Sequence, residues 1–443
     1  MKNICVKLKP LVKGINRVVV LKTAILPGEE IERLFFATQI GEIFYLKDGD
    51  VIPFLDIKDS IIKIDKTEER GFYGLAFHPN FHYNGLFYLH YGVVGTEGKD
   101  PLSSFTPNPD KKETLNLKWE NREINYNHIH TVEEWIYKVD SKPSKRRTLL
   151  NIRRPFGNHN GFNSLNFSAE NNRLVLTTGD GGLGYDPFNL SQDINEIAGK
   201  IIEIDVSNFV DNKVVTSRFE ELPNDVIPLL TIIAKGVRNI SGIIYQKLSN
   251  HYIKYIANVG QRLVESVYAF IHYQQVPVRE VVNEGEVNQS GLINFGWRGW
   301  EGDFPTTLEK GITYYNEALE ILPKQISSIV SYFHEDKRED KFLGTAITGV
   351  RPYLGNEIND LTGTIIFSDL KNKKEDSKKG VLAYTKLGMN DYEVIDVDYD
   401  FGEEDTYFVG LGSNREHTKL FLTTYTTNTM KDKNKGAIFK ITN

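Results

Sequence analysis

The stretch GTIIFSDL at residues 363–370, followed by GVLAYTKL at residues 380–387, carries the pattern that decides the fold. Each run is rich in β-branched and aromatic residues, and a polar segment with charged residues separates the two runs. This composition is typical of two β-strands joined by a turn. Because one such pair cannot bury a core alone, the rest of the chain has to supply further pairs.

The same couplet recurs along the chain, which predicts a repeat architecture. The other couplets are RLFFATQIGEIFYL from residue 33, GLFYLHYG from 85 with EEWIYKV from 133, RLVLTTGDGG from 173 with GKIIEIDV from 199, KYIANVGQ from 254 with ESVYAFI from 265, and KLFLTTYTTN from 419 with GAIFKIT from 436. Roughly six units predict an all-β, six-bladed β-propeller with elaborated loops, in which stacked blades supply the core. Two packed β-sandwiches are the alternative, and the constant order within each couplet favours the propeller.

The predicted organisation is an N-terminal extension at residues 1–16 and a single propeller at residues 17–443. The strand RVVVLKT at residues 17–23 is expected to close the ring by pairing with the last blade. Residues 95–130 and 299–345 interrupt the repeat and are predicted to be long loops of the propeller. Long loops in a compact fold are often functional.

Composition excludes several classes of protein. The net charge of -6 gives no basic footprint for nucleic acid. No apolar run is long enough for a transmembrane helix, and the N-terminus lacks the pattern of a secretory signal. Cys5 is the one cysteine, which excludes an internal disulfide and is compatible with the cytoplasm. The compartment stays open, as does assembly into a homo-oligomer or larger complex.

The residues that could carry chemistry are expected at strand ends, which meet at one face of a propeller. His159 lies in the loop PFGNHNGF before the strand NSLNF, and Asp180 ends the predicted inner strand RLVLTTGD. The other candidates are Arg238 and Asn239 in KGVRN, Gly260 and Gln261 at the end of KYIANVGQ, and Asp369 and Lys371 at the end of IIFSDLK. A histidine, a carboxylate and several cations suit an anionic ligand with a base beside it.

Each of these residues also has a structural interpretation. Asp180 could cap its own turn, Arg238 could brace neighbouring blades, and Lys371 could belong to a solvated charge run. His128 and His130 in the sequence HIH lie on one face of a strand. Two histidines could start a metal site, but no clear third ligand lies next to them in the sequence, so no metal is assigned to them.

Several segments resemble, in order, the glucose/sorbosone dehydrogenase family. Its members include soluble sugar dehydrogenases that use pyrroloquinoline quinone (PQQ) on six-bladed propellers, and the propeller domain of hedgehog-interacting protein. The strongest match is ERGFYGLAFHPNFHYNGLFYLHY at residues 69–91, with further matches in HNGFNSLNF, RLVLTTGDGG, AGKIIEIDV, KGVRN, NVGQ, NFGWRGWEG and LTGTIIFSDL. The resemblance covers residues 17–442, and it is more specific for the fold than for the activity.

The resemblance implies a quinone-dependent oxidoreductase acting on a sugar or polyol by hydride transfer. It implies that His159 is the base, that Asp180 orients it, and that Arg238 stabilises negative charge on the quinone. It also implies PQQ contacts from Arg238, Asn239 and Lys371. Backbone carbonyls at Gly260 and Gln261 would hold Ca²⁺, which prefers oxygen ligands. Glu69, which opens the strongest match, is a candidate for substrate binding.

The sequence departs from the family pattern at two places. Phe162 stands where the family usually has a second glycine after the histidine motif. The arginine pair that clamps the cofactor carboxylates is missing from EEDTYFVGLGSNREH at residues 403–417, where Arg415 comes late and Glu404 and Asp405 would repel an anion. These departures favour a second hypothesis, a non-catalytic propeller that serves as a binding, coat or scaffold protein.

Overall fold

The structure is a computed structural model that describes part of the chain. The described residues are 4–63, 69–95, 114–115, 126–182, 184–186, 188–273, 280–281, 292–306, 313–314, 326–334, 341–374, 377–389, 391–426 and 433–443. Much of the two predicted long loops, residues 95–130 and 299–345, lies outside these ranges. Within them, no helix is long and apolar enough to cross a membrane.

Short strands dominate the described chain. The first elements are β1 (Cys5–Ile15), β2 (Val18–Ile25), β3 (Glu32–Thr38), β4 (Glu42–Lys47), β5 (Asp50–Asp56), β6 (Phe72–Phe77), α1 (Phe81–Asn84), β7 (Leu86–Val93), β8 (Thr114–Leu115), β9 (His128–Ile136) and β10 (Ser144–Arg154). Alternation of apolar residues within these runs gives each strand a buried face, as in β1, where Val6, Leu8 and Val12 are buried.

The middle of the chain contains shorter strands. They are β11 (Leu165–Phe167), β12 (Leu174–Thr177), β13 (Ile201–Ile204), β14 (Val215–Thr216), β15 (Leu230–Lys235), β16 (Ile240–Lys247), β17 (His251–Asn258), β18 (Val264–Tyr273), β19 (Glu280–Val281), β20 (Ile293–Asn294), β21 (Trp300–Glu301), β22 (Phe304–Pro305), β23 (Thr313–Tyr314) and β24 (Val330–Phe333). Single 3₁₀ turns lie at Phe219–Glu221, Ile227–Leu229 and Asn359–Leu361.

The last strands are β25 (Ile347–Tyr353), β26 (Thr364–Asp369), β27 (Val381–Thr385), β28 (Glu393–Asp398), β29 (Tyr407–Ser413), β30 (Leu420–Tyr425) and β31 (Gly436–Thr442). The strand orders of the large sheets are β2-β3-β4-β5, β6-β7-β9-β10-β14, β11-β12-β13-β15-β20, β16-β17-β18-β19 with β24 beside β18, and β25-β26-β27-β28-β1-β31-β30-β29. Every couplet predicted from the sequence supplies the second and third strands of one antiparallel meander, which confirms the strand pairs.

The first strands of the meanders form a ring. Strand β2 contacts β6 and β29, β6 contacts β11, and β25 contacts β16 and β29. The side-chain amide of Asn166 on β11 donates to the carbonyl of Ile243 on β16 over 2.8 Å, which closes the ring. The structure therefore confirms an all-β, propeller-like fold.

The ring corrects the prediction of inner strands. RLVLTTGD, KYIANVGQ and IIFSDLK contain β12, β17 and β26, which are second strands, and the strands before them line the axis. Because first and second strands are antiparallel, the start of one and the end of the other lie at the same face. The candidate residues still converge, since some precede first strands and others follow second strands.

The core lies between neighbouring sheets. Phe35 of the first sheet packs on Phe54 with ring centroids 5.2 Å apart, and Phe54 packs on Phe87 of the second sheet at 5.3 Å. All three rings are buried. Apolar contacts of this kind repeat around the ring, so each sheet is stabilised by its two neighbours rather than by a central core.

The strand that pairs with the last strands of the chain is not the one predicted. Residues 17–23 were expected to pair with the last blade, and this was wrong, because β2 pairs with β3 in the first sheet. Residues 5–15, set apart in the sequence analysis as an extension, form β1, which runs antiparallel to β31 and parallel to β28. The closing strand is thus β1, which joins the last seven strands, β25 to β31, into one eight-stranded sheet.

The closing role of β1 predicts a stability effect. Leu8→Ala should lower the free energy of unfolding by about 2–5 kcal/mol, because it removes a buried side chain and leaves a cavity. Lys9→Ala is the control, since Lys9 is exposed on the same strand and its loss should cost less than about 0.5 kcal/mol. Urea denaturation measures both variants, and equal stability would mean that β1 is a loose appendage.

Candidate active site

The loop before β11 presents His159 at the face where strand ends meet. The residue has a left-handed backbone, with φ of 53°, and its side chain is buried. Its backbone N–H donates to Glu69 Oε2 over 2.6 Å, and its carbonyl accepts from Arg154 Nη2 over 3.0 Å. A Cβ on Gly179 would lie 1.8 Å from the His159 carbonyl oxygen, so a glycine is required there for the loop to approach β12.

Hydrogen bonds on both ring nitrogens fix the protonation of His159. Nε2 lies 2.8 Å from Arg238 Nη2, and Nδ1 lies 2.8 Å from Asp180 Oδ1. Since a guanidinium can only donate, Nε2 accepts and the proton resides on Nδ1, which donates to the carboxylate. The arrangement therefore favours a neutral imidazole whose Nε2 lone pair faces Arg238.

Asp180 is held on both carboxylate oxygens. Oδ1 also accepts from the backbone N–H of Gly182, and Oδ2 accepts from Trp297 Nε1, each over 2.8 Å. The backbone N–H of Asp180 donates to the Arg238 carbonyl over 2.8 Å. The sequence analysis missed Trp297, although it lies in the matched segment NFGWRGWEG.

Arg238 is positioned by the loop that follows β17. Its Nε and Nη2 donate to Gln261 Oε1 over 3.2 and 3.1 Å, and its Nη1 donates to the Val259 carbonyl over 3.2 Å. The guanidinium also lies over the Trp297 ring, 5.7 Å from the centroid. Gln261 thus supplies its side chain to this site, a role that the sequence analysis did not assign.

Asn239 ties the loop of His159 to the next sheet. Its Oδ1 accepts from the backbone N–H of Gly161 over 2.9 Å, and its own N–H donates to Asn258 Oδ1 over 3.2 Å. Its side-chain nitrogen donates to none of the described residues. The structure therefore brings Glu69, His159, Asp180, Arg238, Asn239 and Gln261 together.

The turn at Gly260 and Gln261 wraps around a buried carboxylate. Glu301 Oε2 accepts from the backbone N–H groups of Gln261, Arg262 and Leu263 over 2.7, 3.1 and 2.9 Å. Because these N–H groups converge on Glu301, the carbonyls of the turn point elsewhere. Burial raises the pKa of Glu301, whose Oε1 has no hydrogen-bond partner within the described residues. In that part of the chain, no group of three or more His, Cys, Asp or Glu side chains could hold a metal ion.

Lys371 lies apart from this cluster. Its Nζ forms an ion pair with Asp405 and lies 5.5 Å from the centroid of the Tyr407 ring. No described contact joins it to His159 or Arg238. Asp369, the other candidate from this strand, is buried among hydrogen bonds to Tyr332 and Thr345, and burial followed by the nearby Glu265 charge raises its pKa to about 7.

Several charged residues of the segment 403–417, which lacks the arginine clamp, pair with residues elsewhere in the protein. Glu404 pairs with Lys435 over 3.0 Å, and the Arg415 backbone N–H donates to Glu32 over 2.9 Å. Within the described residues, no contact joins the Arg415 side chain to His159, Asp180 or Arg238.

Phe162 lies in the axial cavity between the first strands. The ring packs against the core of the first two sheets, and the Phe162 N–H donates to the Ile240 carbonyl over 3.2 Å. The other residues that line this cavity are Val19, Leu21, Asn163, Ser241, Thr348, Val409, Gly410, Leu411 and Thr423. Phe162 is therefore one of several apolar residues in a lining that also contains polar side chains.

Three buried histidines support the loop of His159 from below. His90 Nε2 lies 3.0 Å from His130 Nδ1, and His130 Nε2 lies 3.1 Å from both His128 Nε2 and Asn160 Oδ1. Burial, followed by the charge of Arg154, lowers the pKa of His90 to about 3, and burial likewise lowers the pKa of His128 and His130. The neutral chain ends on Asn160, next to His159, so its role here is to hold the loop.

Further charges are buried behind His159. Arg154 Nη2 also donates to the Gly179 carbonyl over 2.8 Å, and burial lowers the pKa of Arg154 to about 10. Asp186 accepts from the backbone N–H groups of Leu190 and Ser191, each over 2.9 Å. Burial and the negative charge of Asp180 raise the pKa of Asp186 to about 6. Arg154 offsets part of the negative charge of this region and joins the two backbone segments that meet at Gly179.

Two proteins of a plant are similar to this chain in sequence. The HIPL1 protein of Arabidopsis thaliana is 25% identical over 374 residues, which are 76% of this chain and 49% of HIPL1. The HIPL2 protein of the same plant is 26% identical over 195 residues, 39% of this chain and 27% of HIPL2. The matched part of the chain thus spans about half the length of HIPL1 and about a quarter of the length of HIPL2.

Two solved structures share the fold over almost their whole length. The soluble aldose sugar dehydrogenase of Escherichia coli has a TM-score of 0.60 and 13% identity, with 99% of each chain covered. An oxidoreductase of Thermus thermophilus, described as a glucose dehydrogenase, has a TM-score of 0.56 and 14% identity, with 98% of this chain and 99% of that chain covered. At this identity the likeness establishes the fold alone.

The family comparison covers the segments that carry Glu69, His159, Asp180 and Arg238. The model of the family described as glucose/sorbosone dehydrogenase matches residues 21–255, just over half of the chain. This range includes His159, Asp180 and Arg238, which the structure joins by hydrogen bonds. The chain therefore belongs to the glucose/sorbosone dehydrogenase family.

Proposed function

We propose that this protein is an oxidoreductase that oxidises a sugar or polyol, with PQQ as electron acceptor, Ca²⁺ as second cofactor and His159 as the base. One observation carries the proposal: the His159 imidazole lies between Asp180 and Arg238, 2.8 Å from each. A base oriented by a carboxylate, next to a cation, is the arrangement that proton abstraction with charge stabilisation requires.

The residues around His159 suit the quinone end of the cofactor. When bound, PQQ would supply a two-electron acceptor. Arg238 offers a cation and Asn239 an amide nitrogen that donates to no described residue, so both could hold quinone oxygens. The carbonyls of Gly260 and Gln261 supply the oxygen ligands that Ca²⁺ prefers, on a turn whose N–H groups face Glu301.

Asp180 and Arg238 set the tautomer of His159. Asp180 retains the Nδ1 proton and would stabilise the imidazolium once Nε2 takes a proton. In the structure, Arg238 donates to Nε2. A shift of the guanidinium toward a ligand oxygen would leave Nε2 to accept the hydroxyl proton of the substrate. Glu69, which anchors the His159 backbone through Oε2, is the proposed carboxylate near the substrate.

A second function rests on a different observation. Lys371 is neutralised by Asp405, and no described arginine replaces the clamp for the cofactor carboxylates. An anionic cofactor would lose charge-assisted hydrogen bonds at that end. This feature favours the alternative that the protein is a non-catalytic propeller, acting as a binding, coat or scaffold protein.

The proposal includes a ring of six blades. The eight-stranded sheet divides at its single parallel pair, β28 with β1, into the meanders β25-β26-β27-β28 and β29-β30-β31-β1. With the other four large sheets, this division supports six four-stranded blades around the axis. The contacts among the first strands support the same number.

The enzymatic proposal predicts a loss of rate on removal of the base. With PQQ, Ca²⁺ and a dye acceptor supplied, His159→Ala should reduce sugar oxidation by about 100- to 10,000-fold, because proton transfer in the transition state is lost. Asp180→Asn should also reduce the rate, by removing the charge that orients the imidazole. Screening a panel of aldoses and polyols against the unaltered chain identifies the substrate.

The control for this experiment is His82→Ala. His82 lies on α1, after the end of β6 and away from the loop of His159, and should leave the rate unchanged. Circular dichroism checks that each variant is folded, since His159 is buried and its loss removes one hydrogen bond from each of two charged partners. A folded His159→Ala chain as active as the unaltered one would eliminate His159 as the base.

The weak clamp predicts a gain of affinity on removal of Asp405. Asp405→Asn should free the Lys371 ammonium for a cofactor carboxylate and strengthen calcium-dependent PQQ binding by about 3- to 10-fold, as expected for a partly exposed charge. Glu403→Gln is the control, because it removes an exposed carboxylate that pairs with Lys378 instead. Calorimetric titration measures both, and no binding by any chain, with or without Ca²⁺, would favour the non-catalytic function.

A further inference from the structure

Two cations lie on first strands of the ring. Lys22 on β2 donates from Nζ to the Leu165 carbonyl on β11 over 2.9 Å, although β6 lies between these strands in the ring. The side chain therefore reaches across toward the axis. Arg351 on β25 lies beside β16, where a Cβ on Gly242 would be 3.7 Å from Arg351 Nη1. Four first strands thus surround this pair of cations.

Arg351 is buried and Lys22 is half-buried, and neither has a compensating acid within the described residues. Arg351 is 3% exposed, and neither cation forms an ion pair within the described part of the chain. Burial lowers the pKa of Arg351 to about 10, whereas burial and then the charge of Arg351 lower the pKa of Lys22 to about 7. The repulsion falls on Lys22 because the lysine loses its proton first. Isolated buried charges are costly unless a counter-charge joins them.

The neighbouring titratable groups do not supply that charge. Glu32 accepts from two neutral donors, Thr23 Oγ1 over 2.6 Å and the Arg415 N–H over 2.9 Å, and it forms no ion pair with Lys22 or Arg351 within the described residues. His417 Nε2 lies 3.0 Å from the Tyr245 carbonyl, and burial together with Arg351 lowers the pKa of His417 to about 4, so its ring is neutral. The cations therefore remain uncompensated.

Most hydrogen-bond donors of the pair are available. Lys22 makes one hydrogen bond, and Arg351 makes one, from Nη1 to the Val350 carbonyl over 2.6 Å. An ammonium has three N–H groups and a guanidinium five, so six of the eight donors remain. The Lys22 side chain is surrounded by many protein atoms, yet part of its surface is accessible to solvent. The Ser241 hydroxyl, next to Gly242, lines the axial cavity and also lacks a partner among the described residues.

We propose that the interior of the ring, between β2, β11, β16 and β25, binds a small inorganic oxyanion of the phosphate or sulfate class through Lys22 and Arg351. The site is separate from His159. Along β2 and β25, the two cations come after Val19, Leu21 and Thr348, which line the axial cavity, whereas His159 precedes the start of its first strand. The proposal does not depend on the oxidoreductase function.

Calorimetric titration with inorganic phosphate, and separately with sulfate, tests the site in a chloride buffer at neutral pH. The full chain should bind one anion, and both Lys22→Met and Arg351→Met should weaken binding by about tenfold or more, as expected for lost charge-assisted hydrogen bonds. Lys254→Met is the control, because Lys254 is buried on β17 and lies over the Phe270 ring. No binding by the unaltered chain, or equal binding by Lys22→Met, would overturn the proposal.

Thermal unfolding separates an anion site from a structural strut. The Tm of the unaltered chain should rise with phosphate concentration by mass action. Lys22→Met should have a Tm in anion-free buffer at least equal to that of the unaltered chain, because an uncompensated charge is gone, and it should show no rise with phosphate. A Tm lowered in every buffer, with the phosphate-dependent rise retained, would mean that Lys22 only braces Leu165. Should Lys22→Met fail to fold, Arg351→Met and the titration of the unaltered chain decide.

Discussion

The carboxylate of Asp180 is the interaction on which the rest of the candidate site depends. It accepts hydrogen bonds from the His159 imidazole, the Gly182 backbone and the Trp297 indole. These donors come from the loop before β11, the turn after β12 and the segment after β20. One buried charge thus fixes three segments and selects the tautomer of His159. The contact of Arg238 with Nε2 then follows, because that nitrogen is left as an acceptor.

The distribution of charge explains why the surroundings of His159 and of Lys371 differ in their capacity to bind an anionic ligand. Around His159, Arg154 offsets the buried carboxylates of Asp180 and Asp186, and Arg298 also offsets that of Asp186. At Lys371 the available cation already has a carboxylate partner. A ligand that places a redox centre at His159 is therefore matched by the protein, whereas additional anionic groups near Lys371 are not. Inside the ring the balance is reversed, since Lys22 and Arg351 are cations without acids.

Strand pairs were predictable from the sequence, and their order around the axis was less so. The couplets are long, apolar and bounded by turns, so the second and third strands of each sheet were found. First strands were harder to place: NSLNF, which contains the three-residue strand β11, was predicted as a strand, but nothing in it indicated that it lines the axis. The closing strand β1 pairs with strands at the other end of the chain, and no local pattern in Cys5–Ile15 specifies those partners.

The residues of the candidate site that lie in short sequence motifs could be predicted. The contacts that form only between strands packed together in the fold could not. His159, Asp180, Arg238 and Asn239 lie in short motifs, and the structure joins them. His90 was missed as a partner of His130 because β7 and β9 are neighbours only in the folded sheet. Lys371 likewise pairs with Asp405, and the charge of Arg351 acts on Lys22. The residues of each pair are far apart in the chain, so composition and spacing could not predict either pair.

The central claim is that Asp180 holds His159 as a neutral imidazole with its proton on Nδ1 and its Nε2 free of a proton. Nitrogen-15 NMR of the histidine-labelled protein at neutral pH tests this most directly, with His159→Gln used to assign the signals. The account predicts a protonated Nδ1, an unprotonated Nε2, and loss of this tautomer preference in Asp180→Asn. A proton on Nε2, or a tautomer unchanged by Asp180→Asn, would contradict it.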